Sequence, residues 1–406
     1  MPARVVFTGM GVVSALGFSA DEIILSLKNG KVVSEKSDFD EAVWVGPIGP
    51  DFNVKAFTGR YKNARYLNRG AQFCVASALE ALKRAGIDGD KPAEAGLFVG
   101  AGPNLDIGGE FPEIRGGKME AESLAALWIL KFLPNTAAST IADLAGIHGE
   151  NATIGTACSA SLQAIGEAFR RIKSGRLALA LAGGGDSRLS PGAVLAYRKA
   201  QAIWTGKGDA SREYSPFDCN RKGFVPGEGG AFFVLEELEH AQRRGAGIIA
   251  EVCGFGASMD GFSMTAPDPE GRWGEGAVRA ALKEADLLPS QIDVVSAHGT
   301  GTPLNDDMEA NLIARVFGEH KPFIVALKSW IGHLAAACGA VELAISLACM
   351  ENHYLPAIRN LRGPCRSDLN FVREERNHAC SAVLLENFGF GGQNSALVVK
   401  TWNGSS

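Results

Sequence analysis

Short runs of β-branched residues alternate with longer amphipathic segments along the chain, and this alternation constrains the fold more than any other feature of the sequence. Strands separated by helices of this length pair through crossover connections, so the pattern predicts an α/β fold. The predicted strands are residues 5–8, 96–99, 152–154, 177–182, 231–235, 293–295, 323–325 and 396–400. Apolar residues at i, i+3 and i+4 predict helices at residues 72–84, 161–173, 275–285, 307–317 and 340–350.

The order of these elements recurs in the second part of the chain. The segment Ser77–Ala85 precedes a strand that ends in Gly100, and the similar segment Ala280–Ala285 precedes a strand that ends at His298. A helix, a strand, a glycine loop and a helix follow in the same order each time. The sequence therefore predicts two related halves, residues 1–246 and 247–406.

Composition and charge exclude several classes of protein. The formal net charge is -5 and the basic residues are scattered, so the charge pattern does not favour binding of nucleic acid. The N-terminus lacks a signal peptide, and the apolar stretches stop well short of the roughly 20 residues that span a bilayer. The eight cysteines show no Cys-x-x-Cys spacing and lie mostly in apolar runs, which indicates reduced thiols. We expect a soluble, cytoplasmic protein that binds neither nucleic acid nor membrane.

The segment Val5–Gly11 looks like the start of a dinucleotide-binding loop, but the pattern fails further on. Ser14 occupies the third glycine position, and no ribose-binding acid follows at the right distance. No phosphate-binding Gly-Lys-Ser/Thr motif occurs in the sequence. We therefore expect no bound nucleotide.

Cys158 is the first candidate for chemistry. It lies where the β run that ends at Ile154 gives way, through small residues, to a helical pattern. Free N–H groups and the helix dipole at such a position lower the pKa of a thiol, and small neighbours leave room for a thioester. A cysteine in a turn is more often a packing residue, so the prediction of a nucleophile depends on what accompanies it.

Two histidines lie in similar loops. His298 follows an apolar strand in Ser296–Pro303, and His333 lies between a strand and a helix in Lys328–Leu334. Active-site residues commonly occupy such strand ends in α/β folds, although a single histidine there can equally cap a turn. A cysteine and two histidines in three separate strand-end loops together predict a catalytic site.

Further residues fit the same design. Lys328 precedes His333 by five positions, and Glu309 lies on the helix after the His298 loop, so the two could form an ion pair that braces the site or an ordinary structural pair. The loop Asn387–Asn394 is rich in glycine and precedes a strand. Its backbone N–H groups could cradle an oxyanion, or the loop could be a plain turn.

Together these segments resemble the elongating 3-oxoacyl-(acyl-carrier-protein) synthases and the ketosynthases of polyketide assembly. The resemblance covers nearly the whole chain and implies a five-layered αβαβα thiolase-like fold of two related halves. It also implies a homodimer, with a heterodimer of related subunits as the alternative. Five segments carry it in family order: Thr156–Ser159, Pro216–Gly229, His298–Pro303, Lys328–His333 and Gly389–Gly392.

The resemblance also implies a reaction, the decarboxylative condensation of an acyl group with malonyl-acyl-carrier-protein. Cys158 would take the acyl group from the phosphopantetheine of acyl carrier protein, and the N–H groups of Cys158 and Phe390 would form the oxyanion hole. His298 and His333 would donate hydrogen bonds to the malonyl thioester carbonyl and stabilise the enolate left by decarboxylation. The product would be a 3-oxoacyl thioester two carbons longer.

The remaining roles follow from the same resemblance. Lys328 and Glu309 would organise the site, and Phe390 would act as a gate over the cysteine. Thr300, Thr302 and, with less support, Thr265 would contact the pantetheine arm. The resemblance implies no metal and no permanently bound cofactor, because the substrates arrive on acyl carrier protein.

Some positions depart from the family pattern. Residues 101–109, in a region that helps to shape the acyl pocket, differ from it, which leaves the length of the acyl chain open. Gln393 replaces the usual threonine of the closing loop, and the bulky Trp330 lies near the second histidine, so gating and channel width could be unusual. Cys338 replaces a small residue and is interpreted as a packing residue.

Three alternatives accompany this interpretation. A thiolase acting on coenzyme A would need a second catalytic cysteine in a Cys-x-Gly setting, which neither Cys365 nor Cys380 provides. A non-elongating partner subunit, such as a chain-length factor, would lack the nucleophile, and Cys158 argues against that. A ketosynthase of a type II polyketide or polyene pathway stays open.

Overall fold

The computed structural model describes residues 2–87, 92–103, 113–115, 118–120 and 126–404. Residues 104–109 of the segment that departs from the family pattern lie outside this part of the chain. The strands are β1 (Val5–Val13), β2 (Glu35–Lys36), β3 (Trp44–Val45), β4 (Gly96–Gly100), β5 (Glu113–Arg115), β6 (Lys118–Glu120), β7 (Asn151–Ile154), β8 (Leu179–Ser187), β9 (Glu228–Glu237), β10 (Ala250–Met259), β11 (Val294–Ser296), β12 (Phe323–Val325), β13 (Tyr354–Leu355), β14 (Arg376–Asn377), β15 (Ala382–Gly389) and β16 (Gln393–Thr401).

The α-helices complete the framework. Those of the described residues are α1 (Ala20–Lys28), α2 (Lys55–Thr58), α3 (Arg69–Arg84), α4 (Thr136–Ala145), α5 (Ala160–Lys173), α6 (Pro191–Lys199), α7 (Ala210–Glu213), α8 (Leu238–Arg243), α9 (Arg272–Glu284), α10 (Pro303–Phe317), α11 (Lys328–Ile331) and α12 (Cys338–Glu351). None of these helices is long and apolar enough to cross a lipid bilayer.

The largest sheet repeats one topology on both sides of its centre. Its strand order is β12-β11-β15-β16-β10-β1-β9-β8-β4-β7. Read outward from the centre, β1, β9, β8, β4 and β7 correspond to β10, β16, β15, β11 and β12. The directions correspond as well, since the three central strands of each set pair antiparallel and the outer pairs are parallel. The prediction of two related halves is confirmed, and the boundary at residue 246 stays a prediction.

Helices cover both faces of this sheet and fill its middle. Helices α3 and α4 pack on the β1–β9–β8–β4 strands from one side, while α9 and α10 pack on the second set from the other side. Helices α5 and α12 contact each other between the two sets of strands. This is the predicted αβαβα arrangement. The two β layers are continuous, because β1 and β10 pair over Val5–Phe7 and Ala250–Val252.

The central layer explains why helix α12 lacks a polar face. Every residue from Cys338 to Met350 is buried, since strands and the neighbouring helix α5 surround it. A helix that is apolar all round is expected in such a position. Glu342 is the only charged residue among them, so it must find a partner inside the protein.

The predicted strands and helices all occur, and the differences have local causes. The sequence prediction missed β10, whose two glycines weaken the strand signal. It also missed β15, whose last residues, Asn387 to Gly389, belong to the predicted glycine loop. Helix α10 begins at Pro303, four residues earlier than predicted, because proline is well suited to the first helical position.

Paired glycines set the distance between strand and helix in both halves. A Cβ on Gly11 of β1 would collide with the carbonyl oxygen of Ser77 in α3, and one on Gly256 of β10 would collide with that of Ala277 in α9. The apparent nucleotide-loop glycines therefore serve packing. Their equivalents in the second half do the same, which is a further sign of the internal repeat.

We predict that Gly256→Ala lowers the free energy of unfolding by about 1–3 kcal/mol, because the added methyl group forces the helix and strand apart. Gly276 is the matched control, since it is exposed in the middle of α9 and a Cβ there meets no atom within 4 Å. Gly276→Ala should raise the free energy of unfolding by about 0.5–1 kcal/mol. Urea unfolding of both variants checks this, and equal stability of Gly256→Ala and the wild type would contradict it.

Candidate active site

Cys158 lies in a strained turn between β7 and α5. The preceding residue, Ala157, has φ of 48°, in the left-handed region that residues other than glycine rarely adopt. The Ser159 hydroxyl lies 2.9 Å from the backbone oxygen of Asn387 and 2.6 Å from that of Gln393 and donates its single hydrogen between them, so the turn is fixed to the ends of β15 and β16. Cys158 itself is buried. Cys158 is thus held by contacts from both halves of the fold.

His333 is held by its backbone and by one ring nitrogen. Its N–H donates to Val225 O at 2.8 Å, and its Nδ1 accepts the N–H of Ala335 at 3.0 Å. Since Nδ1 is an acceptor, the ring proton lies on Nε2. The Cys338 thiol lies 3.6 Å from the same Nδ1. Cys338 therefore contacts a site residue directly. The sequence alone had suggested only that it fills the core.

His298 is held in the same protonation state by different groups. Its Nδ1 lies 3.1 Å from Lys328 Nζ and 3.4 Å from Asn387 Nδ2, and both neighbours are donors. The ring proton is therefore again on Nε2. The two imidazole rings are nearly perpendicular, with centroids 5.7 Å apart.

The two histidines and the cysteine meet in one place, as predicted. Cys158 Sγ and one ring nitrogen of each histidine lie within 4.8 Å of one another. Burial, followed by the charge of Lys328, lowers the pKa of His298 and of His333 well below 6.5, so both rings are neutral at neutral pH. The free nitrogen of each ring is an N–H donor. This suits the binding of a substrate oxygen, and it does not suit a metal ion, which needs the nitrogen lone pair.

Lys328 braces His298, but its ion-pair partner differs from the expected one. Lys328 Nζ lies 2.5 Å from Glu342 Oε1 and 2.6 Å from the backbone oxygen of His298, and the side chain is fully buried. Glu309 instead accepts the backbone N–H groups of His298 at 2.6 Å and Gly299 at 2.9 Å. The two predicted residues therefore hold His298 from separate directions, and the predicted Lys328–Glu309 pair is corrected to Lys328–Glu342.

Two residues of this network were missed by the sequence analysis. Glu342 was overlooked although it is the single charged residue in an otherwise apolar helix, which was a usable signal. Asn387 donates through Nδ2 to Glu342 Oε2 at 2.9 Å and so orients the carboxylate that holds Lys328. Nothing in its local sequence distinguished it from an ordinary turn asparagine.

The acidity of the nucleophile also differs from the expectation. The helix start was expected to lower the pKa of Cys158, but burial raises it to about 11, while the Lys328 charge and the Phe390 N–H partly oppose that rise. Burial outweighs the favourable dipole because a thiolate loses its solvation in the buried site. Cys158 is therefore a thiol at neutral pH.

The three groups line a cavity of about 310 Å³. Thr265, Thr300 and Thr302 lie on its wall, and the Thr300 and Thr302 hydroxyls are 2.8 Å apart. Phe390 lines the same cavity beside Cys158. Within the described part of the chain, neither Trp330 nor Gln393 lines it, since the Trp330 indole donates to Ala357 O inside the core.

Comparison with known proteins matches this fold and site. Residues 3–241 match the family Beta-ketoacyl synthase, N-terminal domain, and residues 249–362 match Beta-ketoacyl synthase, C-terminal domain. The chain is 34% identical over 411 residues to the 3-oxoacyl-[acyl-carrier-protein] synthase 2 of Coxiella burnetii, covering 98% of each sequence.

Two solved structures are similar over nearly their whole length. A Beta-ketoacyl synthase from Burkholderia phymatum STM815 has a TM-score of 0.90 and 33% identity, with 99% of this chain and 100% of that chain covered. The type II PKS ketosynthase AntDE, in complex with its acyl-carrier protein AntF and bound to the hexaketide, has a TM-score of 0.87 and 27% identity at the same coverage. The chain therefore belongs to the beta-ketoacyl synthase family of condensing acyltransferases.

Proposed function

We propose that this enzyme condenses an acyl group held on Cys158 with malonyl-acyl-carrier-protein, with loss of carbon dioxide, to give a 3-oxoacyl-acyl-carrier-protein. The observation that carries this proposal is the meeting of one thiol and two neutral imidazole N–H donors within 4.8 Å in a buried pocket. A nucleophile next to two fixed donors suits a reaction that forms first a thioester and then an enolate.

In the first half-reaction, the Cys158 sulfur attacks the acyl thioester delivered on phosphopantetheine. The new carbon–sulfur bond forms at Cys158, the bond to the pantetheine sulfur breaks, and the thiol proton of Cys158 leaves with the pantetheine thiol. The N–H groups of Cys158 and Phe390 stabilise the oxyanion between these steps. Gly389 supports this role, since a Cβ there would lie only 3.0 Å from the Cys158 nitrogen, and glycine lets the loop approach this closely without a steric conflict.

In the second half-reaction, the malonyl thioester carbonyl accepts the free N–H groups of His298 and His333. The bond to the carboxylate breaks and its electron pair becomes an enolate, whose oxygen both donors stabilise in the dry pocket. The enolate carbon attacks the Cys158 thioester, the carbon–sulfur bond breaks, and the sulfur leaves as a thiolate that takes up one proton from solvent. Lys328 and Glu309 act through His298 as positioning residues, because their bonds fix its ring and its backbone.

The substrates reach this pocket on acyl carrier protein. Thr300 and Thr302 hold the pantetheine arm through their hydroxyls, Thr265 adds a contact at the mouth, and Phe390 gates the path to Cys158. The similar ketosynthase that was solved with its acyl-carrier protein supports this partner. We infer a homodimer, or a heterodimer with a related subunit, that works in the cytoplasm, where the thiol stays reduced.

A second candidate keeps the chemistry and changes the acyl chain. The similarity to a ketosynthase bound to a hexaketide supports a role in a type II polyketide or polyene pathway, beside one in fatty-acid synthesis. The two candidates differ in the acyl group that Cys158 accepts.

We predict that Cys158→Ala abolishes covalent acylation, because no other cysteine of the described residues lines the cavity. Intact-mass spectrometry after incubation with acyl-carrier-protein thioesters, from two-carbon to sixteen-carbon and polyenoyl, measures the adduct and ranks the donors. Cys74→Ala, which removes a buried thiol on α3, should acylate like the wild type. An adduct on Cys158→Ala would refute the assignment of the nucleophile.

We predict that His333→Ala slows malonyl decarboxylation about 10²-fold or more and leaves acylation of Cys158 much less affected, because the enolate loses one of its two donors. Release of labelled carbon dioxide and acyl-enzyme formation measure the two steps separately. The exposed His148, changed to alanine, serves as the control. Equal damage to both steps would contradict the assigned role.

The raised pKa of Cys158, about 11, predicts that alkylation of the free enzyme by iodoacetamide accelerates about tenfold per pH unit from pH 7 to 9 without a plateau. Peptide mass spectrometry follows the modification of Cys158 itself. Lys328→Met should slow alkylation further, since the ammonium charge favours the thiolate. A plateau below pH 8 would contradict this and would indicate that the pKa of Cys158 is low, as its position at the start of a helix had suggested.

A further inference from the structure

Asp186 is a buried carboxylate at the end of β8 to which the proposed reaction gives no role. Its Oδ1 accepts the N–H of Ser187 at 2.8 Å, and its Oδ2 accepts Nη2 of Arg188 at 2.9 Å and the N–H of Ala336 at 3.1 Å. The side chain of Asp186 is 8% exposed and that of Arg188 is 5% exposed. These three neighbours are all donors, as an ionised carboxylate requires.

The contact with Ala336 leads to His333 through a single turn. Residues Ala335–Ala337 form this turn directly before α12. The N–H of Ala335 donates to Nδ1 of His333 at 3.0 Å, and the next N–H along the chain donates to Asp186. Ala335 has φ of 46°, a left-handed conformation that persists only where the surrounding contacts hold it. The bond from Asp186 is one of those contacts.

An equivalent contact runs in the opposite direction between the two halves. The turn of Cys158 belongs to the first half, and Ser159 binds it to the backbone of β15 and β16 in the second half. The turn Ala335–Ala337 belongs to the second half, and Asp186 binds it to β8 in the first half. Strands β8 and β15 occupy corresponding places in the sheet. Each half therefore uses the end of this strand to hold a turn of the other half.

Arg188 supplies the charge that the buried carboxylate of Asp186 needs. Its Nη1 also donates to the backbone oxygen of Pro103, while its Nε meets no acceptor among the described residues. A Cβ on Gly102 would lie 2.0 Å from Nη2 of Arg188 and 2.7 Å from Oδ2 of Asp186, so glycine leaves room for the pair. Because desolvation offsets much of the attraction in a buried ion pair, stability alone does not explain this one.

We propose, on the basis of the proposed function, that Asp186 is a positioning residue for His333, with Arg188 as its counter-ion. Its Oδ2 fixes Ala336 and so aligns the N–H of Ala335 with Nδ1 of His333. The proton of the ring then stays on Nε2 and points toward the malonyl thioester carbonyl. Asp186 does not line the cavity that holds the substrates, so its effect should fall on decarboxylation and much less on acyl transfer.

The experiment compares two double variants, because Asp186→Ala alone would leave Arg188 buried without its partner and destabilise the fold. Asp186→Asn/Arg188→Met keeps an oxygen that accepts the N–H of Ala336. Asp186→Leu/Arg188→Met has nearly the same volume and no acceptor. Burial, Lys328 and Arg188 lower the pKa of His333. Both variants lose the Arg188 contribution, so the difference between them reports the acceptor alone.

We expect Asp186→Leu/Arg188→Met to release carbon dioxide from malonyl-acyl-carrier-protein about 10-fold to 10²-fold more slowly than Asp186→Asn/Arg188→Met, since a small misplacement of a catalytic group costs this much. Acylation of Cys158, followed by intact mass, should differ little between the two. Melting temperatures establish that both fold, and Asp186→Ala/Arg188→Met replaces the leucine variant if that one does not. Equal rates of decarboxylation, or equal losses in both half-reactions, would overturn the proposal.

Nitrogen NMR of protein labelled in histidine tests the proposal without the reaction. The Nδ1 signal of His333 is identified by its loss in His333→Ala. It should move toward the frequency of a nitrogen without a hydrogen bond in Asp186→Leu/Arg188→Met and stay near that of the wild type in Asp186→Asn/Arg188→Met. Absence of decarboxylation by the wild type would refute the proposed function and leave this test intact, whereas an unchanged signal in the leucine variant would overturn the positioning role.

Discussion

The ammonium group of Lys328 is the interaction on which the site depends. Its contacts with Glu342, with the backbone oxygen of His298 and with the ring of His298 join α11, α12 and the loop after β11. A buried, unpaired ammonium would be strongly destabilising, so the folded protein must keep the partners of Lys328 in place. The same charge lowers the pKa of both histidines and favours the thiolate of Cys158. One buried cation thus holds the geometry of the site and adds to the effect of burial on its protonation.

The internal repeat supplies the frame for that interaction. In each half, a strained residue opens the turn that leads into the central helix, Ala157 before α5 and Ala335 before α12, with φ of 48° and 46°. One turn carries Cys158. In the other, the backbone N–H of Ala335 donates to Nδ1 of His333. Because α5 and α12 pack against each other, equivalent turns of the two halves face one cavity. The duplicated fold therefore brings different chemistry to the same place.

Burial then decides how the groups behave. It keeps both histidine rings neutral, so that each has a free N–H donor, and it raises the pKa of the Cys158 thiol above that of a surface cysteine.

The sequence by itself determined the α/β class, the two related halves and the identity of Cys158, His298 and His333, because strand and helix periods and the loops between them are local patterns. Only the tertiary structure decided that Lys328 pairs with Glu342 and that Cys338 touches His333. Those contacts depend on how the chain packs, so no spacing encodes them. The protonation states followed for the same reason, since a pKa depends on burial and on neighbouring charges that packing alone brings together.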